Sequence, residues 1–244
     1  MAVPEISIKA EHLFDLWHIP VTNSMLLAFI SMAVLILLGL AIRYKINIIP
    51  GKLQSLFELL IEQIMQLMDS VFGNRRISER YFPVVATVFL FILFSNWLGL
   101  LPIVGPIMFH HVPFLRAPSA DLNFTMGLAV VAVVAVNFFS ITALGVRKFI
   151  GRFIHPRDPI MTSVGALEIV SEFVKIVSFS FRLFGNVFAG EVLLLIVGFL
   201  TPLVFPLLPL PFLFLEVFVG FIQAFIFAML TMVFIAGAVA ETSH

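Results

Sequence analysis

Arg182 is the residue whose chemistry most needs an explanation, because it lies deep inside a long apolar stretch. A charged side chain at the centre of a bilayer costs about 3 kcal/mol on insertion scales and roughly 10 kcal/mol or more in simulations. Arginine also keeps its proton at any physiological pH. Such a fixed charge needs an anionic partner or a water-lined path, so Arg182 predicts ion translocation. The open alternative is a structural arginine that a carboxylate neutralises.

Further polar residues follow the same stretch at helical spacing. At about 100° per residue, one narrow stripe contains Arg182, Glu168, Glu172, Lys175, Asn186 and Gly190. Glu191 lies about 180° from Arg182 and must face a different environment. Glu168, Glu172 and Lys175 have an alternative interpretation as interfacial charges that form exposed i,i+3 or i,i+4 pairs.

The last apolar stretch has a polar face of its own. Glu216, Gln223 and Glu241 share this face, beside a row of small residues: Gly220, Ala224 and Ala228. Small residues allow close helix packing. Glu191 and Glu216 flank a proline-rich turn, and carboxyls buried in apolar surroundings are suited to carrying protons. The alternative is that Gln223, and Glu191 and Glu216 in protonated form, are hydrogen-bond partners between helices.

Composition restricts the class of protein. Of the 244 residues, 61% are hydrophobic and 11% are charged, whereas soluble domains have about 25% charged residues. The chain is therefore predicted to be a polytopic membrane protein. A net charge of zero gives no electrostatic support to nucleic-acid binding. The absence of cysteine excludes disulfides, and we expect His110 and His111 to be solvated loop residues that bind no metal.

Five stretches are long and apolar enough to span a membrane: 25–42, 84–101, 122–146, 160–200 and 212–239. Residues 53–72 instead combine apolar residues at helical spacing with polar and acidic ones between them, which predicts an amphipathic helix at the membrane surface or against other subunits. The fourth stretch is uninterrupted for about 40 residues, or roughly 60 Å of helix. Because the hydrocarbon core is only about 30 Å thick, that helix must be steeply tilted or extend partly outside the core.

The loop charges predict an orientation. Lysine and arginine residues cluster after the first span, before the second and after the third. The loops 102–120 and 201–211 together contain a single arginine, Arg116, and no lysine. The positive-inside rule then places the N-terminus outside and the C-terminus inside. Residues 1–17 carry three acidic side chains and lack the apolar core of a secretion signal.

Four motifs resemble the subunit a family of the F-type ATP synthase, called subunit 6 in mitochondria. They are SFRLFGNVFAGE at 180–191, QAFIF at 223–227, PSADLNFT at 118–125 and NWLGLLP at 96–102. The resemblance covers nearly the whole chain in the same order. It implies a membrane stator beside a ring of c subunits, with the last two helices strongly tilted against the ring and two aqueous half-channels that reach the ring from opposite sides.

The resemblance also implies roles for single residues. Arg182 matches the essential arginine between the half-channels, and Asn186 and Gln223 match polar positions near it. The outer half-channel residues are Glu191 and Glu216, with Asp121 and Asn123 at a possible entrance, and the inner ones are Glu168, Lys175 and Ser178. Two positions depart from the family pattern: some members have histidine where Glu216 stands and an acidic residue where Gly99 stands.

We therefore expect an all-α polytopic membrane protein that forms a single membrane domain, 1–244. Its parts are an outer segment 1–21, a first membrane helix 22–43, an amphipathic inner-surface helix 52–72, a membrane helix hairpin 82–148 and a tilted hairpin 160–241 against the c-ring. The expected role is non-catalytic proton conduction without a cofactor. Expected partners are the c-ring, the peripheral-stalk b (or b and b′) subunits, other ATP synthase subunits and lipid, in a bacterial inner membrane.

Three other classes remain open. A secondary transporter of a small solute or ion would explain buried charges, but no internal repeat supports an inverted-repeat transporter. An intramembrane enzyme would need a nucleophile or a metal cluster with ligand spacing in the spans. A structural scaffold would tolerate Arg182→Leu.

Overall fold

The computed structural model describes residues 10–16, 19–44, 46–47, 50–102, 104, 107–109, 112–146, 149, 151, 159–200 and 207–240. These residues are mostly helical, which confirms the all-α prediction. The helices are α1 (Asn23–Tyr44), α2 (Lys52–Phe72), α3 (Arg75–Gly99), α4 (Leu122–Leu144), α5 (Pro159–Leu200) and α6 (Pro209–Ala240). All except α2 are long and apolar enough to cross a membrane.

The long fourth span is continuous, as its lack of internal breaks predicts. α5 has 42 residues, which corresponds to about 63 Å at 1.5 Å per residue. Its outward surface exposes large apolar side chains, among them Phe173, Phe181 and Phe199. Such a surface is stable only against lipid or another protein, so α5 spans the membrane region with one side uncovered by this chain.

The second span begins nine residues earlier than the hydropathy pattern predicts, at Arg75 rather than Val84. The Asn74 side chain caps the helix by accepting a hydrogen bond of 2.9 Å from the Arg76 amide. Pro83 lies inside α3. The predicted span covers the apolar part of this helix, and the additional residues precede it because a capped helix can begin in water and continue into the membrane.

The amphipathic helix α2 turns directly into α3. Gly73 ends α2 with φ +66° and donates its N–H to Asp69 O at 2.9 Å, a conformation that an L-residue adopts only with strain. On the inward face of α2, Met68 is fully buried and Phe72 stacks on Tyr81 of α3 at 5.8 Å between ring centroids. The corner therefore fixes α2 against the membrane helices.

Two short hairpins were not predicted. β1 (His12–Leu16) pairs with β2 (Ile19–Thr22), and β3 (Met108–Phe109) pairs with β4 (Val112–Pro113). Asn23, the first residue of α1, connects both hairpins: its Oδ1 accepts from the Glu11 amide at 3.2 Å, and its Nδ2 donates to Pro113 O at 3.2 Å. This asparagine thereby holds the loops together at one end of the helices.

The core lies between α3, α4, α6 and the inward face of α5. Phe179 of α5 stacks on Phe227 of α6 at 4.5 Å between centroids, and Tyr81 of α3 contacts Phe139 of α4 edge-on at 5.1 Å. At the end of α3, Gly99 lies so close to Ala117 that an added Cβ would be 2.6 Å from the alanine Cβ. This close packing gives a physical reason for glycine at position 99.

Candidate functional site

α5 and α6 are antiparallel, and their contacts fix which residues lie opposite one another. Phe179 stacks on Phe227, and the Glu216 carboxyl lies directly over Gly190. Both contacts fit one antiparallel register, in which the residue number rises along α5 as it falls along α6. Four residues beyond the Phe179–Phe227 pair, Gln223 is level with Leu183 and therefore next to Arg182 along the helix axis.

Arg182 lies on the uncovered side of α5. Its guanidinium donates to Ser178 Oγ at 3.2 Å, and Ser178 and Asn186 share its exposed surface. Among the described residues Arg182 forms no ion pair. Gln223, by contrast, is only 4% exposed and faces the helix interface. The structure thus brings Ser178, Arg182 and Asn186 onto one exposed surface, whereas Gln223 is buried between the helices.

One half of α5 carries an ion pair on the predicted polar stripe. Lys175 Nζ donates to Glu172 Oε1 at 2.5 Å, with the i,i+3 spacing of the alternative interpretation, but the two side chains are only 22% and 18% exposed and do not form an exposed surface pair. Asn137 of α4 donates to Glu172 Oε2 at 3.3 Å, and Lys175 Nζ lies 4.3 Å from the Phe234 ring centroid of α6. The cluster therefore joins three helices. Glu168 is half-buried one turn earlier, and nothing in the sequence singled out Asn137.

The other half of α5 carries Glu191, whose environment differs from that of Arg182 as their 180° separation predicts. Arg116 approaches it from the segment before α4, with 3.6 Å between Arg116 Nε and Glu191 Oε2. Glu216 is 7% exposed and packs over Gly190, where an added Cβ would be 2.0 Å from its carboxyl atoms. Gly190 was expected on the polar stripe with Arg182, yet it is buried beneath Glu216 because the stripe turns away from solvent there.

A polar network links two of the four motifs, those at 96–102 and 118–125, to the main chain of α6 near these acids. Asn96 Nδ2 donates to Gly220 O at 3.2 Å, and Ser119 Oγ donates to Asn96 Oδ1 at 2.6 Å. Trp97 Nε1 donates to Val217 O at 3.1 Å. The motifs themselves were noticed from the sequence, but their mutual contacts require the fold.

Asp121 and Asn123, the expected channel entrance, begin α4. Asp121 Oδ1 accepts from the Asn123 amide at 3.0 Å, and its Oδ2 accepts from Ser24 Oγ at 2.8 Å. Asp121 is therefore a helix cap that also holds α1. Both residues line a largely apolar cavity of about 450 Å³, together with Phe29 and Phe91.

Some expected residues cannot be compared with the structure. His110, His111 and Glu241 lie outside the described residues. Within the described ranges, no group of three or more histidine, aspartate and glutamate residues is arranged to hold a metal ion. The titratable and polar residues instead form three groups along α5: around Glu172, around Arg182 and around Glu191.

Comparison with known proteins gives one consistent family. The family described as "ATP synthase A chain" matches residues 25–236, a span that contains all four motifs. ATP synthase subunit a of Syntrophobacter fumaroxidans is 37% identical over 216 residues, covering 88% of this chain and 83% of the relative. The Campylobacter fetus protein of the same name is 36% identical over 218 residues, covering 89% and 90%. That of Helicobacter acinonychis is 33% identical over 210 residues, covering 86% of each chain.

Proposed function

Since this chain belongs to the subunit a family of the F-type ATP synthase, the proton-translocating membrane subunit of that complex, we propose that it conducts protons to and from the carboxyls of a c-ring. Two aqueous half-channels reach the ring from opposite sides of the membrane, and Arg182 separates them. The subunit catalyses no bond chemistry itself. It couples proton flow to rotation of the ring and hence to ATP synthesis elsewhere in the complex.

The position of Arg182 is the observation that carries this proposal. Its guanidinium lies on an exposed, mainly apolar surface, and its hydrogen bond from the side chain goes to the neutral Ser178. Among the described residues no carboxylate pairs with it. A permanent cation on such a surface is stable only if a partner supplies an anion, and an ionised carboxyl of a passing c subunit is that anion.

Electrostatics then determines where a c-ring carboxyl loses its proton. A neutral c-ring carboxyl can face lipid, whereas an ionised one cannot, because the cost of desolvating the charge is too high. Arg182 attracts the approaching site and favours loss of its proton to the inner channel. The guanidinium also repels protons, which prevents a direct leak between the channels. The membrane potential supplies about 2.3 kcal/mol per charge per 100 mV.

The three groups along α5 support an assignment of the two routes. Glu168, Lys175 and Ser178 belong to the inner half-channel, which the Glu172–Lys175 pair keeps polar. Glu191 and Glu216 belong to the outer half-channel, with Asp121 and Asn123 towards its entrance. Asn186 and Gln223 flank Arg182, where the two routes meet the ring.

As a multi-pass membrane protein of this complex, the chain has other ATP synthase subunits as partners. The uncovered apolar surface of α5 and α6 suits a c-ring, and the exposed Leu56 and Leu59 of α2 suit the peripheral-stalk b subunits or lipid. The bacterial relatives support a bacterial inner membrane. The basic loops favour an orientation with the N-terminus outside and the C-terminus in the cytoplasm.

The test uses inverted membrane vesicles that contain the complete ATP synthase. Arg182→Ala should abolish ATP-driven acidification at matched subunit content, because the c-ring carboxylate would lose its counter-charge. Arg43→Ala is the matched control, since Arg43 is exposed in the last turn of α1, and it should pump normally. Normal acidification by Arg182→Ala would show that the arginine is structural and would overturn the proposal.

A further inference from the structure

Arg116 is a buried cation outside the polar helices. Its side chain is 8% exposed, although it lies in the segment between β4 and α4. Its Nε is 3.6 Å from Glu191 Oε2. Because an arginine cannot lose its charge, burial requires a nearby anion. The contact therefore fixes the segment before α4 to α5 at the position of Glu191.

The two acids of this region have different surroundings. Glu191 is 39% exposed and has the Arg116 guanidinium beside it. Glu216 is buried over the backbone of Gly190, and within the described part of the chain it forms no ion pair. The Arg116 guanidinium thus supplies Glu191 with a counter-charge, whereas Glu216 has none among the described residues. Two carboxyls in such different environments are suited to different roles.

We propose that Arg116 is a positioning residue of the outer proton route: it holds Glu191 as a paired carboxylate and leaves Glu216 as the carboxyl that carries the proton. This inference rests on the proposed function. A proton from the outer aqueous phase binds the Glu216 carboxylate, passes to an ionised c-ring carboxyl and leaves Glu216 ionised again. During ATP hydrolysis the same steps run in reverse.

Arg116 also limits the charge of the pair. When Glu216 is ionised, Arg116, Glu191 and Glu216 together carry one negative charge, whereas the two acids alone would carry two. Without Arg116, Glu191 would compete with Glu216 for the proton. Without Glu191, the buried guanidinium would lose its counter-ion at 3.6 Å and would attract the remaining acid of the region, Glu216, and hold it ionised. When both Arg116 and Glu191 are removed, no second carboxyl competes with Glu216 for the proton and no guanidinium holds Glu216 ionised.

This logic makes the two substitutions interdependent. In inverted vesicles with the complete ATP synthase, Arg116→Gln and Glu191→Gln should each slow ATP-driven acidification on the order of 10-fold at matched subunit content. The double variant Arg116→Gln with Glu191→Gln should be faster than either single variant. Arg116→Lys should retain most of the rate because it keeps the charge, and Glu216→Gln should block acidification in every background. Arg43→Gln controls for loss of an exposed arginine.

Several outcomes would overturn the inference. One is a double variant whose loss equals the product of the two single losses, because Arg116 would then act independently of Glu191. Another is an unaffected Arg116→Gln variant while Glu216→Gln is blocked; a third is normal acidification by Glu216→Gln while Glu191→Gln is blocked. Normal acidification by both Glu191→Gln and Glu216→Gln, or by Arg182→Ala, would instead refute the proposed function itself.

Discussion

Gly190→Ala tests whether the position of the Glu216 carboxyl over Gly190 matters for proton transfer. In Gly190→Ala the new Cβ would be 2.0 Å from the carboxyl carbon and both carboxyl oxygens of Glu216, whereas ordinary contact begins at 3.4 Å. The carboxyl, the flexible end of its side chain, must therefore retreat by about 1.4 Å, the difference between these distances. A displacement of about 1 Å can slow a transfer between aligned groups by roughly 100-fold. We expect proton pumping to fall between about 10- and 100-fold.

Gly198→Ala is the matched control. It lies on the same helix, and an added Cβ there meets nothing within 4 Å. Both substitutions gain about 1 kcal/mol of helix propensity, so they differ in the clash and not in helix stability. The assay is ATP-driven acidification of inverted vesicles per assembled complex.

A second variant separates displacement of the carboxyl from general damage. Glu216→Asp shortens the acid by one methylene group, so combined with Gly190→Ala it should recover part of the lost rate. Acidification by Gly190→Ala within about twofold of Gly198→Ala, well below the expected loss, would show that the position of Glu216 over Gly190 does not matter for proton transfer.

Two further predictions concern the ends of α3. Gly99→Ala should destabilise the subunit by about 1–3 kcal/mol through overpacking against Ala117; thermal melting of the purified complex checks this, and adding Ala117→Gly should restore the melting temperature. At the other end, the Ser78 hydroxyl and then the Arg75 guanidinium lower the pKa of Asp69. The stability from this ionised group is therefore present above the unfolded value, about 3.9, and is lost as pH falls through the lower folded pKa. Carbon NMR of the Asp69 carboxyl in the purified subunit should show a midpoint below the usual value, which Arg75→Gln raises; an unchanged midpoint in that variant would contradict this.

The helices could be predicted from the sequence because a bilayer restricts which backbone structures can span it. Long apolar stretches without a break must form helices whose backbone bonds are internal, which is why the 42 residues of α5 were foreseen almost to the residue. Helical spacing also separated Arg182 from Glu191 correctly. The start of α3 was missed because hydropathy detects the part of a helix inside lipid and not its continuation into water.

Contacts between distant parts of the chain could not be predicted in this way. Arg116 was noticed only as the single basic residue of an outer loop, and neither charge nor spacing indicates that it reaches Glu191, 75 positions away. Gly190 fitted the polar stripe by angle alone, although its role in the structure is to leave space for Glu216. Pairings of this kind depend on the packing of whole helices, which local periodicity does not determine.

The hydrogen bonds between α3 and α6 have a consequence for how this protein can change over evolution. Asn96 and Trp97 attach to main-chain oxygens of Gly220 and Val217, and every residue type offers such an oxygen. The attachment therefore places few demands on the neighbouring α6 side chains, apart from the small size of Gly220. Exposed residues such as Phe214 and Phe218 can vary with the shape of the surface that covers them, while the helix that carries them keeps its position.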